Sequence, residues 1–119
     1  MKTYHGYRRV TPGLDKQPVD IGDCIVRVCT NGRKRYLRPR QDIANHSPAG
    51  FEWGFCGSGP AQLALALVAD CMGKKYAVPA VYQRIKECIV AKLAHDGWPL
   101  PEADLRHAIT FIRIDRGEL

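Results

Sequence analysis

The chain has 119 residues, 45% of them apolar and 25% charged. Those proportions suit a single globular domain over residues 1–119 and exclude wholesale disorder, and no apolar run reaches the ~18 residues needed to span a bilayer. The formal net charge is +6, and it is uneven: residues 1–40 hold ten Lys/Arg against three Asp/Glu, whereas residues 41–119 hold eight against nine. A basic third beside a neutral remainder points to a polyanionic partner, a nucleic acid or a nucleoprotein complex. The plainer alternative is a soluble protein with one positive face.

The opening residues 1–6 lack the apolar stretch of a signal peptide, so a cytoplasmic protein without membrane contact is expected. The five cysteines (Cys24, Cys29, Cys56, Cys71, Cys88) are odd in number and contain no C-x-x-C pair. The four histidines (His5, His46, His95, His107) lack ligand spacing. Neither a disulfide framework, a metal site nor a cofactor is expected from them.

In chain order, Tyr4 to Val10 reads as a strand ending near Thr11-Pro12-Gly13, and residues 14–23, with Pro18 and Gly22, as a loop. The clearest local signal follows. Cys24-Ile25-Val26-Arg27-Val28-Cys29-Thr30 is β-branched and apolar. Asn31-Gly32 suits both positive-φ positions of a type I′ turn, and Arg33 to Arg38 returns. This predicts a hairpin over 24–38 in which Thr30 pairs with Arg33, Val28 with Arg35 and Val26 with Leu37. Val26, Val28 and Leu37 then face the core, and Ile25, Arg27, Cys29, Lys34, Tyr36 and Arg38 share the other face. Pro39 closes the ladder.

Beyond it, 45–50 reads as a loop and 51–55 as a short aromatic segment. Ala61 to Met72 is an Ala/Leu helix with Pro60 at its first position and Gly73 as its stop. Only Gln62 and Asp70 are strongly polar in it, so it is the expected central buried helix. Pro79 opens an amphipathic helix to about Leu93, with Tyr82, Ile85, Ile89 and Leu93 on one stripe. Residues 95–99 break it. A short third helix starts at Pro101 with Glu102 and Asp104 in its first turn, and 109–114 either extends it or forms a last strand. The fold class is α+β: a small antiparallel N-terminal sheet with hairpin 24–38, packed on the helices near 60–72 and 79–93.

Tyr4-x-Gly6-x-Arg8-Arg9, the run Asn45-His46-Ser47-Pro48-x-Gly50-Phe51-Glu52-Trp53-Gly54-Phe55, the run Gly57-Ser58-Gly59-Pro60-Ala61-Gln62-Leu63-Ala64-Leu65-Ala66-Leu67 and the later Asp96-Gly97-Trp98 resemble a family of small uncharacterised bacterial proteins, a domain of unknown function found on plasmids, phages and integrated elements. The resemblance spans nearly the whole chain. It implies no known activity, but it does imply a mobile-element setting, where accessory proteins bind DNA or block host defences. The region from Pro18 to Arg40 is longer and more basic than the family pattern, and Cys56 stands where that pattern has a non-nucleophilic residue.

The candidate binding surface is the hairpin. Arg27, Lys34 and Arg38 flank Tyr36, with Arg33, Arg35 and Arg40 nearby; cations neutralise phosphates and a tyrosine ring stacks on an unpaired base. The plainer reading is that Tyr36 packs under arginine stems and the charges are solvated. A secondary candidate surface is the 51–59 loop with Phe51, Glu52, Trp53 and Ser58, whose plainer role is shaping the core; Glu52 in particular suits an ion pair with an arginine. Cys56, near a helix start and with His46 as the nearest histidine in sequence, is the one candidate nucleophile; filler in a glycine-rich turn explains it more simply. Gly57-Ser58-Gly59 lacks the Lys and Ser/Thr of a P-loop and Pro60 removes one donor, so a nucleotide triphosphatase is not expected; binding of a single phosphate or carboxylate there stays open, and a small-molecule-binding or cysteine-dependent enzyme using the 54–60 loop is the least favoured alternative. The expectation is a non-enzymatic protein with no catalytic residue, whose hairpin contacts a nucleic acid or nucleoprotein, as an anti-CRISPR-like inhibitor would. A protein-interaction module is the alternative.

Overall fold

Asn31 (φ 50°) and Gly32 (φ 84°) both occupy the left-handed region, as a type I′ reversal requires, and the chain folds back on itself there. In a computed structural model, which describes residues 1–8 and 24–118, this turn joins β2 (Cys24–Thr30) to β3 (Arg33–Tyr36). The predicted loop 14–23 and the strand end at Val10 lie outside the described residues. The pairs Thr30–Arg33 and Val28–Arg35 form in register, and the Leu37 N–H donates to the Val26 carbonyl at 2.8 Å. Strand β1 (Lys2–Arg8) lies antiparallel to β2 on its other side.

A fourth strand, β4 (Gly97–Pro101), pairs antiparallel with the outer edge of β1 and gives the sheet order β3-β2-β1-β4. The sequence reading has only a break there. One face of the sheet carries Tyr4, Gly6, Val26, Val28, Trp98 and Leu100, and all of these except Gly6 join the helices in one core through their side chains. Gly6 is required for this: a Cβ on it would lie 2.2 Å from Trp98, whose indole packs directly over the strand.

The central helix, α1 (Ser58–Met72), starts earlier than expected, so Pro60 is its third residue rather than its first. The first-turn N–H groups have no partner within a helix, so proline is tolerated there too. Residues 60–69 of α1 are all buried. It packs against α2 (Pro79–Cys88) and α3 (Glu102–Asp115). The expected helix to Leu93 stops at Cys88, with a separate 3-10 turn over Val90–Lys92; Val81, Tyr82 and Ile85 are its buried stripe, and Cys88 is exposed. Residues 109–114 extend α3 as helix. Among the described residues no helix is long and apolar enough to cross a membrane.

Candidate nucleic-acid interface

Alternation along the strands sends Thr3, His5 and Tyr7 of β1, Ile25, Arg27 and Cys29 of β2, and Lys34 and Tyr36 of β3 to the face opposite the core. Across the strands, Tyr36, Arg27, His5 and Pro99 stand opposite one another in a single row. The Arg27 guanidinium lies 5.2 Å from the Tyr7 ring centroid and 5.7 Å from that of Tyr36, so two aromatic rings orient one cation. Tyr36 is 61% exposed. Lys34 and Arg38 are exposed, and no carboxylate stands on the strand positions of this face among the described residues.

The seven predicted hairpin residues fall into two groups. Arg27, Lys34 and Tyr36 share the open face as expected; Arg38, two residues beyond the end of β3, lines the cleft between the hairpin and α1, and Arg33 is exposed at the turn. Two cations are held by the protein's own acids instead. Arg35, in register with Val28 on the core side, reaches over to Asp70 of α1 at 2.8 Å, and Arg40 forms two 3.0 Å hydrogen bonds with Asp42. Among the described residues Arg27, Arg33, Lys34 and Arg38 make no ion pair.

The secondary surface does not form. Trp53 has no exposed surface and Phe51 is buried, because both fill the core rather than line a face. Glu52 accepts two hydrogen bonds from Arg8, at 3.1 and 2.9 Å, and a third from the Trp53 backbone N–H. The Arg8 bonds hold the Glu52 carboxyl below its ordinary pKa, against a smaller upward push from burial. Arg8 also lies 5.1 Å from the Trp53 ring, and Trp53 meets Trp98 edge-on at 5.3 Å. Gly59 sits where a Cβ would be 2.7 Å from Glu52, so the glycine next to Ser58 serves close packing. Ser58 is exposed at the start of α1. The segments that carry the family resemblance therefore meet each other inside the molecule.

Cys56 is exposed, while the His46 ring lies 2.7 Å from the Tyr82 hydroxyl; the structure brings His46 to Tyr82 and not to Cys56. Among the described residues no group of three His, Cys, Asp or Glu is placed to hold a metal ion.

Two features escaped the sequence reading. Tyr7 belongs to the open face, a placement that follows from its strand parity once β1 is set beside β2. Asp70 anchors Arg35, Lys2 and the Tyr4 hydroxyl together; its isolation as an acid in an apolar helix was the available signal.

Fold and site together define a small α+β protein with a solvent-facing sheet surface that is basic and aromatic. The chain belongs to a family of unknown function (DUF6166), whose model matches residues 4–110. No curated protein and no solved structure matches it.

Proposed function

We propose that this is a non-enzymatic binding protein, of the accessory kind carried by phages and other mobile elements, whose basic hairpin face contacts a nucleic acid or a nucleoprotein complex. Blocking a host defence complex is the role such a contact would serve. The observation that carries the reading is the grouping of Arg27 and Lys34 with Tyr36 on one sheet face, with Arg38 two residues further along the chain and no ion pair to any of the three cations among the described residues. Cations so placed attract phosphates, and exposed tyrosine rings offer a stacking surface to unpaired bases.

The test replaces Arg27, Lys34 and Arg38 together by glutamate. These side chains lie outside the core, so the thermal midpoint stays near that of the parent while binding to single-stranded or duplex oligonucleotides is lost. Retained binding in a folded triple variant places the contact elsewhere. A second reading, a protein-binding module without nucleic-acid contact, is favoured by the exposed Phe111 and Ile114 on α3. Co-purification that survives nuclease treatment and is abolished by Phe111→Ser would decide for it.

A further inference from the structure

Between the end of the hairpin and α1 lies a cleft of about 450 Å³, lined by Arg35, Tyr36, Leu37, Arg38, Arg40, Ala66 and Asp70. We infer that this cleft is a binding site for a phosphate monoester, such as the phosphate of a nucleotide or of the end of a strand. The cleft shares Tyr36 and Arg38 with the proposed contact surface, adds Arg35, Arg40 and Asp70, and extends the proposed function to a subsite.

Arg35, Arg38 and Arg40 line the cleft with one carboxylate, Asp70, and Asp42 pairs with Arg40, so the net charge is one positive with that pair intact and two positive once an anion displaces Asp42. That balance suits the near-dianionic monoester, which carries about −1.5 to −2 at neutral pH, better than the single charge of a phosphodiester. The donors are available. Arg38 has no ion pair among the described residues. Arg35 gives Asp70 one hydrogen bond from a single nitrogen, which leaves the other guanidinium nitrogens for a second acceptor. Arg40 is held by Asp42, but Asp42 is 59% exposed, so solvent or an incoming anion readily replaces it. Planar guanidinium forks match phosphate oxygens in pairs. Ala66 and Asp70 belong to α1, which closes one side of the cleft, so a terminal group fits better than a strand passing through. The exposed Tyr36 ring forms another wall, placed to take a base attached to the phosphate.

The backbone supplies an independent mark. Arg40 has φ 57°, in the left-handed region that side chains other than glycine avoid. The strain turns the chain so that Arg40 lines the same cleft as Arg38 two residues earlier, and residues held in such conformations cluster at ligand sites.

Calorimetric titration of the full chain with adenosine 5′-monophosphate and with adenosine tests the site. The monophosphate binds and the nucleoside does not; equal behaviour of the two overturns the inference. Arg38→Ala combined with Arg40→Gly, the latter suited to the local backbone, weakens monophosphate binding by about tenfold or more, and unchanged affinity in that variant also overturns it. Oligonucleotides with a 5′-phosphate and a 5′-hydroxyl distinguish a strand end from a free nucleotide as the source. Displacement of the monophosphate by a glutamate-rich peptide at lower concentration would assign the cleft to an acidic protein segment instead. Arg27→Glu with Lys34→Glu leaves monophosphate binding intact and weakens strand binding, which separates the two sites. Strand binding without monophosphate binding sinks the cleft alone, and the reverse result sinks the sheet-face reading alone.

Discussion

Gln62 has no exposed surface, yet its amide leaves nothing unsatisfied. Its oxygen accepts the backbone N–H groups of His46 and Ser47 at 2.7 and 3.1 Å, and its nitrogen donates to the carbonyls of Pro39 and Ala44 at 2.6 and 3.0 Å. One side chain from α1 thereby ties down the loop that carries Arg40. Gln62→Leu keeps the volume but orphans four backbone groups, so unfolding in urea shows a loss of about 2–4 kcal/mol, and amide exchange at His46 and Ser47 accelerates. Asp70 makes a comparable knot. Burial pushes its carboxyl up, but hydrogen bonds from Arg35, Tyr4 and Lys2 together outweigh that and hold it below its ordinary 3.8. Glu52 is likewise held below 4.5, first by Arg8. Both groups are more acidic folded than unfolded. Their stabilisation is therefore present above the ordinary carboxylate range and is lost as pH falls through it. The thermal midpoint declines from about pH 5 downward, and Asp70→Asn flattens that decline while lowering the midpoint at pH 7; an equally steep decline in the variant would remove Asp70 from the account.

At the scale of elements, the hairpin was legible because it is local. An Asn-Gly turn fixes register within fifteen residues, and alternation then fixes which cations share a face. The β4 strand was illegible because Pro99 and Pro101 argue against a central strand. It is tolerated as an edge: prolines cannot donate to a ladder, and β4 has a neighbour on one side only, so its other edge needs no donors. Its indole explains Gly6, and each makes sense only with the other. Gly6→Ala drives a methyl into Trp98 and costs about 1–3 kcal/mol by overpacking. A second change, Trp98→Leu, removes the clash, so denaturation of the double variant shows less loss than the sum of the singles. Additive losses would mean that the two residues do not meet. The candidate site divides in the same way. The open face followed from strand parity, whereas the pairing of Arg35 with Asp70 spans 35 positions and depends on how α1 lies beside the sheet. No local pattern carries that.

Among the described residues, the ion pairs engage most of the arginines outside the hairpin. In the helical half Arg84 meets Asp115, Arg106 meets Glu102, and Arg113 and Arg116 both meet Glu118. Lys2 and Arg8 are engaged by Asp70 and Glu52. In the hairpin and the residues just after it, Arg27, Arg33, Lys34 and Arg38 have no ion pair among the described residues, which makes this segment a local concentration of positive charge. A field of this kind draws in polyanions, and its effect falls with ionic strength because bound phosphates release condensed counterions. Three phosphate contacts give a slope of log K against log salt of about −2 for a single strand and about −2.7 for a duplex. Replacing Lys34 by Gln removes one contact and makes the slope shallower by about 0.7 to 0.9. Arg84→Gln, which disturbs a helix-side pair, leaves the slope unchanged. A binding curve measured from 50 to 300 mM salt that shows no slope, or the same slope in both variants, would mean that nucleic acid does not bind through these cations.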